Sequence, residues 1–121
     1  MISSARTALA GILTSAGLRV FAFTPERAAP PMAILTPSGD WVTSGDTFGT
    51  FRIGFDVNLI VQNAANETMI SALDTLVDDT LEAIAAAAGF YASQVGAPTM
   101  IEISGADYLS TTITVYQNTK L

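Results

Sequence analysis

The sequence predicts an α+β fold in which a mainly antiparallel sheet of about five strands packs against two helices, in the order α-β-β-β-α-β-β. Apolar residues recur at helical spacing in two segments, and they alternate with polar residues over residues 50–62 and 108–117. Turn-forming residues separate these segments, and no linker divides the 121 residues. We therefore expect one domain over residues 1–121, long enough to bury a core.

The first predicted element is a helix over residues 4–16. Apolar residues recur there with a helical period, Ser3 or Ser4 can act as N-cap, and Gly17 stands where a C′ glycine ends a helix. Residues 18–23 are β-branched and aromatic in character, which predicts a short strand that stops before Pro25. Residues 25–31 contain prolines at both ends, so we expect an extended loop.

A second strand is predicted over residues 32–36, ended by Pro37. The tripeptide Ser-Gly-Asp then occurs twice, at residues 38–40 and 44–46, and each copy predicts a turn. The clearest strand runs over residues 50–62, because its apolar and polar residues alternate. Its predicted buried face contains Phe51, Ile53, Phe55, Val57, Leu59 and Val61, and its other face contains Arg52, Gly54, Asp56, Asn58 and Gln62.

The second helix is predicted to begin at Asn66, which can cap it, and to end before Gly89. Its buried stripe is predicted to be Met69 or Ile70, then Leu73, Leu76, Val77, Leu81 and Ile84. Two further strands, over residues 99–103 and 108–117, are predicted to form a hairpin around the turn at residues 104–107.

The composition argues against an enzyme. The chain contains no His and no Cys, which excludes Ser–His and Cys–His nucleophilic mechanisms and any thiolate metal site. Phosphate-binding, dinucleotide-binding and Gly-x-Ser-x-Gly motifs are absent from the sequence. Asp40 and Asp46 are candidates for a paired-carboxylate metal site, but Asp after Gly is also ordinary turn chemistry. We expect no catalytic residues, no cofactor, no metal and no small-molecule substrate.

Charge and hydropathy indicate an oligomer. Charged residues make up 13% of the chain and hydrophobic residues 50%, so little polar surface is available to cover a monomer. The net charge is −6, and no basic residue occurs between Arg52 and Lys120. Such a protein is poorly suited to gripping nucleic-acid phosphates, but it suits a passage through which DNA slides without specific binding. We also expect no signal peptide and no membrane span, and hence a protein in the cytoplasm.

Two surfaces are candidates for function. Trp41, Val42 and Phe48 lie between or beside the Ser-Gly-Asp turns, and they can either contact a partner or pack back onto their own sheet. On the second helix, Asp74, Asp78 and Glu82 stand at i, i+4 and i+8 with no base between them. This stripe is either a solvated face, a wall that meets Arg residues of a neighbouring copy, or the lining of a channel.

The sequence resembles the small tail terminator proteins of long-tailed bacteriophages, also called tail completion or minor tail proteins. The resemblance is carried by Gly17-Leu-Arg-Val-Phe21, by Pro25-Glu-Arg27 with Pro30-Pro31, by residues 51–61 and 71–79, and by Gly105-Ala-Asp-Tyr-Leu109. It covers nearly the full length, and it is a resemblance of fold pattern rather than of chemistry.

The resemblance implies a ring of identical subunits, usually a hexamer, that caps the tail tube, ends its polymerisation and joins the tail to the head connector. It implies the tail tube protein and a connector or neck protein as partners, and location in the virion at the head–tail junction, with assembly in the host cytoplasm. A head–tail connector or neck (head completion) protein is the alternative within the same class. A small ligand-binding module, with a pocket between the Ser-Gly-Asp segment and the Tyr-bearing strands, is the alternative from another class.

Overall fold

The computed structural model describes residues 2–21, 31–45, 48–62, 66–87, 89–103 and 105–120. It has two helices and six strands in this order: α1 (Ile2–Ser15), β1 (Arg19–Phe21), β2 (Met32–Ser44), β3 (Thr50–Val61), α2 (Asn66–Ala86), β4 (Phe90–Val95), β5 (Thr99–Ile103) and β6 (Ala106–Lys120). The predicted α+β class is confirmed.

All six strands belong to one sheet, in the order β1-β2-β3-β6-β4, with β5 also paired to β6. Only β1 and β2 are parallel, and the other pairs are antiparallel. β4 and β5 pair with successive stretches of β6, so together they form one long edge of the sheet. Their connection is attached to β6 as well, because the amide of Gly96 donates to the Thr112 carbonyl at 2.8 Å and the Thr111 hydroxyl donates to the Gly96 carbonyl at 2.5 Å.

Both helices cover the same face of the sheet. α1 contacts β1 and β2, whereas α2 contacts β3, β4 and β6. The main core lies between these layers, and its largest fully buried members include Phe55, Leu9, Leu13, Ile84 and Ile113. A second cluster joins the N-terminal half of α2 to the C-terminal end of β3 and the N-terminal end of β6. Its members are Met69, Leu73, Val61 and Leu109. The predicted buried face of β3 is confirmed from Ile53 to Val61, whereas Phe51 is only half-buried.

The opposite face of the sheet carries a row of polar side chains across its three central strands. The Asn58 amide donates to the Ile34 carbonyl at 3.1 Å and to the Thr36 hydroxyl at 3.2 Å, and it accepts from the Thr112 hydroxyl at 2.8 Å. The Thr114 hydroxyl donates to Asp56 at 3.2 Å. A small apolar cluster around Met32, Ile60 and Ile103 lies at one end of this face. We refer below to this face of the sheet as the helix-free face, meaning that none of the described helices covers it.

α1 ends as the sequence predicts, in a Schellman motif. Gly17 has φ of 92°, its amide donates to the Thr14 carbonyl at 3.0 Å, and the Leu18 amide donates to the Leu13 carbonyl at 3.2 Å. Leu13 and Leu18 both lie in the core, which gives the apolar contact that accompanies this motif. The helix begins earlier than predicted, so Ser3 and Ser4 lie in its first turn and not at its N-cap.

The predicted stripe of α2 is largely confirmed. Met69, Leu73 and Ile84 are buried, and Leu76, Val77 and Leu81 are half-buried against the core. Of the two candidates for its first position, Met69 is the buried one, whereas Ile70 is exposed. Thr80 is also fully buried and was not part of the predicted stripe; its hydroxyl donates to the Leu76 carbonyl at 2.7 Å, which satisfies it inside the helix.

The prediction that Pro37 ends the second strand is wrong. β2 continues to Ser44, because Pro37 pairs with Phe55 and the strand then resumes with Val42 opposite Ile53. The residues between, 38–41, stand opposite Gly54 alone and form a bulge, so the first Ser-Gly-Asp copy is not a separate turn. β1 pairs only with residues 32–34, so in the described part of the chain Pro37 has a strand on one side only, where a proline is tolerated.

The C-terminal third also differs from the prediction. β4 was not predicted, although Phe90 to Val95 is rich in β-formers, because it directly follows the alanine-rich end of α2. β6 is longer than the predicted strand, and only two residues separate the paired Ile103 and Ala106. Gly105 has φ of 84° at this tight connection, as a short hairpin requires. The predicted hairpin of β5 and β6 is confirmed.

Candidate functional site

Trp41, Val42 and Phe48 all lie on the hairpin formed by β2 and β3, which we call the apolar hairpin. Trp41 is 40% exposed and Val42 37%, and Phe48, close to the tip, is fully exposed. Phe48 therefore does not pack back onto its own sheet, whereas Trp41 and Val42 are partly exposed and partly covered by the rest of the chain. Exposed aromatic side chains gathered on one hairpin are typical of a surface that contacts a partner.

The base of the apolar hairpin is well defined by backbone hydrogen bonds and close contacts. The Gly45 amide donates to the Thr50 carbonyl at 2.9 Å, which closes the loop. A Cβ added at Gly45 would lie 2.9 Å from the Thr50 Cβ and 3.0 Å from its carbonyl carbon, so only glycine fits this position. Val42 pairs with Ile53 and so lies on the face that the helices cover. The hydrogen bond at Gly45 and the pairing of Val42 with Ile53 thus hold the base of the hairpin in line with the sheet.

An aromatic and cationic cluster lies on the helix-free face beside this hairpin, and it was not predicted from the sequence. The Arg52 guanidinium lies 4.3 Å from the centroid of the Tyr116 ring, and the Tyr116 and Tyr91 ring centroids are 5.7 Å apart. Tyr116 pairs with Gly54, which has no side chain to compete for the space. This cluster joins three strands that are distant in sequence. The only sequence signal for it is that Arg52 and Gly54 lie on the same face of β3.

The acidic face is formed by Asp74, Asp78 and Glu82, all exposed on α2. Asp74 and Asp78 line a depression of about 380 Å³ together with Val95, Gly96 and Pro98, so they lie beside the edge formed by β4 and β5. The last turn of α2 contains no basic residue. The acidic face begins near Leu73, which contacts the end of β3 remote from the apolar hairpin. The two candidate surfaces are therefore separate.

The Asp40 and Asp46 pair lies outside the described side chains, so a metal site there stays a hypothesis. Within the described residues, no group of three or more His, Cys, Asp or Glu side chains is placed to hold a metal ion. None of the described helices is long and apolar enough to cross a membrane.

The three tyrosines do not line a common pocket. Tyr91 and Tyr116 contact each other, whereas Tyr108 packs against the apolar cluster around Met32 and Ile60. A groove of about 590 Å³ lies elsewhere, between α2 and the end of β3, and its lining includes Met69, Leu76 and Val61 but no tyrosine. The arrangement expected of a ligand pocket between the hairpin and the Tyr-bearing strands is therefore not formed by the described residues.

Comparison of the sequence with protein-family models finds no matching family, and comparison with curated proteins finds no match.

Proposed function

We propose that this protein is a structural subunit of a phage tail, which forms a ring, caps the tail tube and ends its polymerisation at the junction with the head connector. The sequence resemblance to tail terminators suggests this role, and the surface of the fold supports it. Of the segments that carry the resemblance, residues 51–61 lie in the central strand β3 and residues 71–79 lie in α2.

The observation that supports the proposal most is the apolar hairpin. Phe48 is fully exposed and Trp41 is partly exposed on a hairpin whose base is fixed by the rest of the sheet. Solvation of such aromatic surface is unfavourable for a free monomer, and its burial against another subunit or the tube removes that cost. A low overall content of charged residues, 13%, leaves few alternatives for keeping the surface soluble.

The acidic face gives independent support. The described side chains of α2 include five exposed acids and no base: Glu67, Asp74, Asp78, Asp79 and Glu82. A surface of this kind repels the DNA backbone, as the wall of a passage for DNA must if DNA is not to adhere to it. The proposal places this face toward the opening of the ring.

The direct test is the mass of the purified protein by light scattering over a concentration series, with negative-stain imaging, followed by its addition to polymerising tail tube protein. We expect closed rings of about six copies, at high concentration or on the tube, since a repeated head-to-tail contact forms a closed ring when its rotation closes. We also expect tube growth to stop. A strict monomer that leaves tube length unchanged would contradict the proposal.

Reversal of charge on the acidic face tests its position. The Asp78→Lys, Glu82→Lys double variant should make the rings retain DNA at low salt, with retention lost as salt rises, because each added Lys contacts phosphates and displaces counterions. The measurement is DNA co-sedimentation with the rings between low and high salt.

A matched control changes the charge equally on another element of the fold. Glu102 and Asp107 are exposed and lie next to the hairpin of β5 and β6. The Glu102→Lys, Asp107→Lys variant should retain less DNA than the first variant. Equal retention by both variants, or none by either, would exclude the acidic face from the passage.

A further inference from the structure

Two edges of the sheet are open in the described part of the chain, and they lie at the same level. On one side, β1 pairs with residues 32–34 only, so β2 from Leu35 to Ser44 has no strand on its outer side among the described residues. On the other side, β4 has β6 on one side only. Open edges present unpaired backbone groups and invite another strand.

We call residues that are paired across neighbouring strands a row. The registers of the strand pairs show that residues of these two edges belong to the same rows of the sheet. Leu35 pairs with Val57, Val57 with Ile113, and Ile113 with Val95. The next row joins Thr36 to Gln94 through Asp56 and Thr114, and the one after joins Pro37 to Ala92 through Phe55 and Val115. The open part of β2 therefore lies level with β4 across the whole sheet, whereas β1 lies mostly level with the connection between β4 and β5.

The exposed large apolar side chains gather at these edges. Trp41 and Val42 lie on the open part of β2, Tyr91 and Val95 lie on β4, and Met100 lies on β5. Trp41 belongs to the bulge opposite Gly54, and Tyr91 is in the same row through Tyr116. Soluble proteins usually protect an edge strand with charged residues, prolines or bulges. β4 contains no charged residue, whereas β2 contains Asp40, Pro37 and the bulge at residues 38–41, which limit pairing to the residues on either side of the bulge.

The strand directions are also compatible with a continued sheet. β2 and β6 run in one direction, and β3 and β4 run in the other. If a second copy lies beside the first in the same orientation, its β2 therefore runs antiparallel to β4 of the first copy. Antiparallel pairing is the more stable arrangement per residue. Such a contact joins two different surfaces, so a joined pair still has one free edge of each kind and can add further copies.

We propose that copies of this chain join edge to edge, with β4 of one copy pairing antiparallel with the open part of β2 of the next, so that the sheet continues around the ring. This inference rests on the proposed ring and names its contact. The partner is a second copy because the two edges match in level, direction and apolar character within one chain.

The size of the contact explains why many copies are needed. Full burial of an aromatic side chain removes about 150–250 Å² from water, so Phe48, Trp41 and Tyr91 supply about 350–400 Å² of apolar surface at their present exposures. This is about half of the ~800 Å² that each partner buries in a stable interface, and backbone pairing must add the rest. A single pair should be weak, and closure of the ring should stabilise it because each copy then has two contacts.

Cysteine cross-linking tests the contact directly, since the chain contains no cysteine of its own. In the continued sheet Thr36 of one copy and Gln94 of the next share a row, and Cα atoms paired across antiparallel strands are about 4.5–5.5 Å apart, within the range of a disulfide. The Thr36→Cys, Gln94→Cys variant should form a ladder of oligomers on oxidation. A mixture of the two single variants should form dimers only, and neither single variant alone should link.

A matched control keeps Thr36→Cys and places the second cysteine at Thr99, which is on the same edge but in a different row, opposite Ser110. This variant should not form the ladder. The Val95→Lys variant should raise the concentration needed for assembly about tenfold or more, because a lysine protects the edge. Ile70→Lys, an equal change at an exposed position on α2, should have much less effect.

The outcomes separate the contact from the ring. Rings that form without the Thr36–Gln94 link, or with Val95→Lys unimpaired, would overturn the edge contact and leave the proposed function standing. Linkage of either single variant alone would indicate a symmetric contact and would also overturn it. A head-to-tail ladder without rings or tube capping would support the contact and contradict the proposed function.

Discussion

Replacement of both Trp41 and Phe48 by alanine should abolish assembly of the protein without unfolding it. Phe48 is fully exposed, so its truncation removes little packing from the chain itself, whereas truncation of the 40% exposed Trp41 also removes some contacts within the chain. Aromatic anchors at an interface contribute about 2 kcal/mol or more each, which corresponds to roughly thirtyfold in the dissociation constant for one anchor. The measurement is the concentration dependence of mass by light scattering, together with the free energy of unfolding at a concentration where the chain is monomeric.

The control for this pair is Ile70→Ala. Ile70 is 53% exposed on α2, so its replacement by alanine removes exposed apolar surface at a position away from both sheet edges. We expect assembly close to that of the unchanged chain and a change in unfolding free energy of this Ile70→Ala control within about 0.5–1 kcal/mol. Normal assembly of the Trp41→Ala, Phe48→Ala variant would exclude the apolar hairpin from the interface.

The Phe55→Ala variant should have the largest effect on stability. Phe55 is fully buried at the centre of β3, between the helices and the sheet, and the Arg6 guanidinium of α1 lies 5.9 Å from its ring centroid. Truncation leaves a cavity, and such changes cost about 3–5 kcal/mol. Since domains of this size are stable by about 5–15 kcal/mol, the loss is a large fraction of the total.

Urea unfolding followed by circular dichroism measures this loss, at a protein concentration low enough that assembly does not add to the apparent stability. Phe48→Ala is the matched control, because it makes the same chemical change at a fully exposed position. Its unfolding free energy should change by less than about 0.5 kcal/mol. Similar values for the two variants would contradict the position of Phe55 in the core.

The elements whose residues repeat with a clear local period were predictable. β3 alternates from Phe51 to Leu59, and the stripe of α2 recurs with the helical period, because each of these elements buries one face against the same core. The end of α1 was predictable for a different reason: a glycine with positive φ forms the Schellman motif through local hydrogen bonds alone.

The candidate site was predictable only in part. The sequence singled out Trp41, Val42 and Phe48 as unusual residues among turn formers, but it did not decide whether they face solvent. Their exposure depends on β2 passing Pro37 through a bulge, and that bulge depends on pairing with Phe55 and Ile53. The Arg52, Tyr116 and Tyr91 cluster depends likewise on the pairing of three strands far apart in sequence.

The sequence by itself determined the α+β class, the two helices, most of the buried face of β3 and the low content of charged residues. The tertiary structure alone decided the strand order, the position of β4 and β5 on one edge of the sheet, and the common level of that edge with the open part of β2. The physical reason is that a strand's period depends on its own residues and the layer it packs against. Its neighbours and register depend on hydrogen bonds to segments elsewhere in the chain.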